Sequence, residues 1–162
     1  MRGRFLTQLK SKLANEKSMF SESTIKKYPV YGPPARTWTW DQITAKSFNT
    51  RYSRHVEDQM EYQFHRELTM EFFTDMEEYV KTLCMDPLEG YTLLPNRFTY
   101  KVDTGIRHYL LWYKPYIHLT DDMVRTILQE RFPKCQFVIW QNPTDQRSIM
   151  TVAHYQIFVR NE

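Results

Sequence analysis

Val56, Met60, Phe64 and Leu68 recur every four residues with charged side chains between them, so residues 53–68 (SRHVEDQMEYQFHREL) predict an amphipathic helix. Met70, Phe73, Met76, Val80 and Leu83 carry a helical pattern on to about Met85. Asp86-Pro87 ends it, because proline lacks a backbone donor and restricts the residue before it. The spacing leaves open whether 53–85 is one helix or two, broken near Thr69. Upstream, YPVYGPPARTW (28–38) reads as an extended, proline-stiffened connection, and TWTWDQITAKSF after it as a short helix entered near Thr39 or Asp41.

The pattern changes after Gly90. RHYLLWYK (107–114), CQFVIWQ (135–141) and VAHYQIFVR (152–160) are short β-type runs. Between the first two, TDDMVRTILQERF (120–132) predicts a helix with Thr120 as its N-cap. Asp121 and Asp122 suit the positive end of the helix, and Pro133 closes it. Met123, Ile127 and Phe132 form its expected buried side. Helices followed by strand, helix, strand, strand predict an α+β fold: N-terminal helices packed on a small, mainly antiparallel sheet, with an extended N-terminal arm.

Alternation along the last strand sorts its side chains. Ala153, Tyr155, Ile157 and Val159 share one face, the expected core; His154, Gln156, Phe158 and Arg160 share the other. In the first strand His108, Leu110 and Trp112 lie opposite Tyr109, Leu111 and Tyr113. If these strands pair, His108, Trp112, His154 and Gln156 gather on one concave surface, with Asn142 and Arg147 nearby. Two imidazoles within reach suit general acid–base work, since each titrates near neutral pH. Each histidine reads equally well as a hydrogen-bonded, partly buried structural group, and the Trp and Tyr clusters as core. HLT (118–120) and HYQ (154–156) faintly resemble the paired H-x-[ST] motifs of phosphoesterases, although the second lacks its hydroxyl. No carboxylate stands at metal-ligand spacing from the histidines, so no metal is expected.

Charge divides the chain in two. Its 162 residues hold 22 Lys and Arg against 19 Asp and Glu. Residues 1–40 carry eight basic and two acidic side chains, leaving 14 basic and 17 acidic for the rest. The expected organisation is a basic, proline-containing arm over 1–37 and a single α+β domain over 38–162. MRGRFLTQLKSKLAN has no acid before Glu16, and Leu6, Leu9 and Leu13 recur at helical spacing. Such a stretch reads as a mitochondrial presequence, as an arm lying on a partner or membrane surface, or as a solvated helix. Basic residues on an arm, apart from the aromatics of the sheet, argue against a nucleic-acid module. No apolar run approaches a transmembrane helix. Neither GxGxxG nor GxxxxGK[ST] occurs, so no nucleotide or other cofactor is expected. Cys84 and Cys135 read as small core thiols in a reducing compartment.

These residues also carry a resemblance. LPNRFTYKVDTGIRHYLLWYK (94–114) resembles the N-x-F-P-Y…I-x-H-x-x-x-W segment of the fungal N-acetylglucosamine-induced-protein family, a domain of unknown function also found in other eukaryotes and some large DNA viruses. FVIWQNPTDQRSIMTVAHYQIFVR (137–160) is similar to its V-x-W…N…S-V…H-x-H segment, and RHVEDQMEYQFHREL (54–68) to its helix with an Arg, a Gln and a Tyr at matching spacing. The resemblance implies ligand-binding candidates at Asn96, Tyr100, Trp112, Trp140, Asn142 and Ser148 beside His108 and His154, with Arg147 and Gln156 added by position. Thr99 stands in place of the proline of F-P-Y, and Gln156 in place of the second His of H-x-H. A glutamine cannot accept and return a proton.

Two functions follow. The first is a non-catalytic accessory subunit of a larger assembly, mitochondrial in its expected location and built on a domain with a partly degraded polar pocket, whose arm contacts other protein subunits or, alternatively, a membrane surface. The second is a small cytosolic enzyme or binding protein for a polar metabolite, an amino-sugar derivative by the resemblance, built on His108 and His154.

Overall fold

The computed structural model describes residues 37–45, 62–63, 65–67, 69–85, 90–114, 117–142, 149 and 152–162. Residues 1–36 of the basic arm, Arg147, Ser148, the Asp86-Pro87 stop and all of 53–61 lie outside the described residues. The elements are α1 (Trp40–Thr44), α2 (Met76–Tyr79) running into a π-helical turn (Val80–Cys84), β1 (Tyr91–Pro95), β2 (Arg107–Tyr113), α3 (Asp121–Arg131), β3 (Cys135–Trp140) and β4 (Ala153–Asn161). The described positions between 62 and 70 are also helical.

Local chemistry sets the helix ends. The Thr39 hydroxyl accepts the Gln42 N–H while the Gln42 side chain accepts the Thr39 N–H, a reciprocal capping box that starts α1. The helix before α2 ends just after Met70. Phe72 and Phe73 both donate their N–H to the Thr69 carbonyl, and the chain turns before Asp75 caps α2 through the Glu78 N–H at 2.8 Å. The stretch 53–85 is therefore interrupted. Thr120 caps α3 as expected, accepting the Met123 N–H.

The four strands form an antiparallel sheet in the order β1-β2-β4-β3. The strand β1 is an addition to the sequence expectation; its terminal Pro95 suits an edge, where no ladder donor is needed. Gly90, at φ 77°, precedes β1 and accepts the Lys114 N–H, closing the open end of the β1–β2 pair. Between β1 and β2 the loop 96–106 holds Trp38: Trp38 donates to the Lys101 carbonyl and accepts from the Asp103 N–H.

Both faces of the sheet are covered. On one, Leu111, Ile139, Tyr155, Ile157 and Val159 pack against Leu119, Val124 and Leu128. The buried side of α3 is thus Val124 and Leu128; Ile127 and Phe132 are half-buried, and Met123 is 47% exposed, contrary to its expected burial. On the other face, α1 brings Trp40 and Ile43 onto Trp140 and Phe158, while Val80 and Met85 pack with Trp112. The face carrying His154, Gln156 and Phe158 is core as well, which corrects the expectation that only the opposite face is.

Tyr155 fastens the two layers. Its single hydroxyl proton is shared between Asp121 Oδ1 at 2.9 Å and the Leu119 carbonyl at 3.2 Å. Burial, then the hydrogen bond and charge of Asp121, and lastly Tyr113, hold the phenol well above the ordinary tyrosine value of 10.0. The folded chain keeps this proton at a pH where the unfolded chain releases it. Stability is accordingly intact below pH 10 and falls above it by up to about 1.4 kcal/mol per pH unit from this group. Urea unfolding between pH 9 and 11 reads that slope, and Tyr155→Phe is expected to remove this contribution. An unchanged slope in the variant refutes the assignment.

Candidate functional site

Strand pairing places the expected polar residues on one surface. His108 lies opposite Phe158, Leu110 opposite Gln156, and Trp112 opposite His154 across β2 and β4; Trp140 of β3 lies opposite Gln156. Because these positions alternate with those packed on α3, all point toward the layer formed by α1 and the helical stretch 62–84.

A line of hydrogen bonds joins three of them to Asn96 of the loop after β1. The His108 imidazole accepts the Tyr100 backbone N–H at Nδ1 (3.3 Å), which leaves Nε2 as the protonated nitrogen. Nε2 donates to Gln156 Oε1 at 2.6 Å. The Gln156 amide nitrogen then stands 3.4 Å from His154 Nε2 as its donor. At the other end, Asn96 Oδ1 accepts the Phe98 N–H at 3.0 Å, and Asn96 Nδ2 sits 3.2 Å from His108 Nδ1 and 3.4 Å from Nε2. The donor and acceptor roles agree from His108 through Gln156 to His154 Nε2, while His154 Nδ1 is buried outside this line. His108 is 3% exposed, Gln156 4% and His154 7%, so the line is internal.

Aromatic rings enclose it. Phe158 lies between His108, stacked at 4.2 Å, and Trp140, stacked at 4.6 Å. Tyr100 packs on both His108 and Phe158, and Trp112 leans on His154 with ring centroids 4.3 Å apart. The Trp140 indole N–H donates to Asn142 Oδ1 at 3.3 Å, placing Asn142 at the edge of this group. Arg160, the last residue on this face, sets its guanidinium over Trp40, 4.6 Å from the ring centroid.

The structure adds residues that the sequence reading did not single out. His65, also buried, stands 3.3 Å from the Tyr79 hydroxyl, and its ring packs edge-on against Phe98 and Tyr79. Through Phe98 and Asn96 this second histidine adjoins the first cluster. Its signal was the pairing of His65 with Thr69, four apart and beside the apolar stripe; the Thr69 hydroxyl donates to the His65 carbonyl at 2.7 Å. His118, by contrast, is exposed at the entry to α3, which covers the face opposite His154. The two H-x-[ST]-like motifs therefore do not face each other. Cys135 is half-buried at the sheet end, packed against the rim of the core on the α3 side, and, like Asn161, receives the Arg107 guanidinium. Among the described residues no group of three or more His, Cys, Asp or Glu is placed to hold a metal ion. Among them, too, no helix is long and apolar enough to cross a membrane.

Fold and site together define an α+β domain whose four-stranded antiparallel sheet buries a histidine–glutamine–histidine line under a helical layer. Residues 36–160 match the family described as Protein of unknown function (DUF3605), and the chain belongs to that family. The crystal structure of a protein named HTC1 has a similar fold, with a TM-score of 0.53 and 21% identity over 77% of this chain and 86% of that one. No curated protein matches the sequence.

Proposed function

We propose that this protein is a non-catalytic accessory subunit of a larger protein assembly, docked through its basic residues 1–37. The observation that supports this reading best is the engagement of His108: both of its ring nitrogens are held, by Tyr100 and Gln156, inside stacked rings. General acid–base catalysis needs an imidazole that reaches a substrate proton. Gln156, where the fungal N-acetylglucosamine-induced proteins that the chain resembles carry a histidine, cannot exchange one. The acid-free amphipathic start suits a mitochondrial setting, with other subunits or a membrane surface as its contact. The test is native purification of the full chain beside a version lacking residues 1–37. The full chain is expected to migrate as part of a complex several times its own mass, and the shortened chain as a folded monomer. A full chain that runs as a monomer overturns the reading.

A second reading makes the same face a binding site for a polar metabolite such as an amino-sugar derivative. It draws on the packing of Trp112 against His154, on the face that also carries His108, since an aromatic ring beside polar groups suits a sugar. Ligand-observed NMR with N-acetylglucosamine and its phosphates tests it: binding that His154→Ala abolishes supports a site, and no binding by the folded wild type rejects it.

A further inference from the structure

The polar line has a property that its packing role does not require. His108 Nδ1 is an acceptor facing the Tyr100 N–H, with the Asn96 amide nitrogen beside it, and Nε2 already carries the proton given to Gln156. A second proton has to enter at Nδ1, where it meets a backbone donor that cannot turn round. Asn96 cannot relieve this by rotating, because its oxygen is occupied by the Phe98 N–H. At the far end, a proton on His154 Nε2 meets the Gln156 amide in the same way. Imidazolium and the hydrogen bonds that close the loop therefore oppose each other.

What the loop holds is the entry of the chain. Asn96 donates its N–H to the His108 carbonyl at 2.8 Å, Tyr100 is fastened to the His108 ring, and the next residues, Lys101 and Asp103, pair with Trp38. Trp38 in turn leads directly into the capping box of α1. We propose that the Asn96–His108–Gln156–His154 line is an acid-operated latch: protonation of His108 frees the loop 96–103 and with it the Trp38 pairing that leads into α1.

Among the described residues, Tyr100 of the loop, His65 and Tyr79 of the helical layer and His154 of β4 contact the line or the rings on it; Arg97 lies over Phe98 and Arg160 over Trp40, and the loop and α1 also carry Lys101, Asp103 and Asp41. Arg97, Lys101 and Arg160 oppose a further positive charge and Asp41 and Asp103 favour one, so the sign rests on the donors that face Nδ1. The sign follows. The closed state takes up the proton less readily than an opened one with an ordinary imidazole, so closure is favoured above about pH 6.5 and weakens below it. Between pH 7.5 and 5.0, one such group multiplies the opening equilibrium by about 30. The latch does not depend on whether the domain is a subunit or a metabolite binder.

Amide hydrogen exchange of the full chain, corrected for intrinsic rates, tests the proposal at pH 7.5 and 5.0. Peptides covering Trp38 and residues 96–103 are expected to exchange about 30-fold faster at the lower pH, while α3 and β4 change far less. In His108→Gln, which keeps a donor and an acceptor but gains no proton, the acceleration of these peptides is expected to fall to about threefold or less. Equal acceleration in wild type and variant overturns the latch. If the variant does not fold, nitrogen-15 NMR of the wild-type imidazoles decides. The Nε2–H form of His108 at pH 7.5, with Tyr100 amide protection lost in step with proton uptake, supports it. An Nδ1–H form, or titration of His108 with the Tyr100 amide unchanged, overturns it.

Discussion

Phe158→Ala is expected to lower the unfolding free energy by about 3–5 kcal/mol, the range for emptying a buried aromatic site. The ring is fully buried on the central strand, with His108 and Trp140 stacked on it and Tyr100 alongside. Its removal opens a void bounded by two rings fixed to neighbouring strands, which limits how far the site can collapse. The neighbouring indole also loses its stacking partner, and ring pairs are worth about 0.5–1.5 kcal/mol beyond area. Chemical denaturation followed by tryptophan fluorescence measures the loss. A change below about 1 kcal/mol contradicts the packing described for this face.

Gln156→Leu removes no comparable volume, yet it is expected to cost about 2–6 kcal/mol. The Gln156 amide accepts the His108 Nε2–H and presents a donor to His154. Leucine leaves both sites facing a hydrocarbon, and each buried polar group stripped of a partner costs about 1–3 kcal/mol. Gln156→His retains one donor and one acceptor and is expected to lose less than the leucine variant. Equal losses in the two variants would show that the site responds to shape alone.

How much of this was legible in the sequence varies by element. The alternation in RHYLLWYK and VAHYQIFVR placed His108, Trp112, His154 and Gln156 on common faces, because a strand has a fixed period of two, and antiparallel pairing then brought them together. Alternation does not reveal whether the second face is covered. That depends on helices distant in sequence, here α1 and the turn at Val80–Cys84, so the surface expected to be open is interior. The helix α3 shows a different ambiguity. Met123 with Ile127 and Val124 with Leu128 have the same four-residue spacing, and only the sheet decides which pair it buries. The break after Met70 did leave a signal in Asp75-x-x-Glu78, a helix-start pattern inside a longer helical periodicity. The strand β1 left almost none, since YTLLP ends in proline and is too short to alternate convincingly. The roles of Asn96 and Tyr100 came from motif resemblance. Their placement rests on a loop whose course no periodicity describes.

The strand order has a consequence for synthesis. In the sheet β1-β2-β4-β3, the strand that comes last along the chain is the one that joins the other two sides. When β2 and β3 have left the ribosome they have no partner in each other, and both wait with open edges for residues 153–161. The nascent chain can form the β1–β2 pair and α3 early, but the core on either face closes only when β4 slides between strands already made. Such non-local closure slows folding and exposes apolar edges meanwhile. A premature stop before Ala153 would therefore remove more than a C-terminal strand: it would leave a hairpin and a lone strand with nothing to unite them.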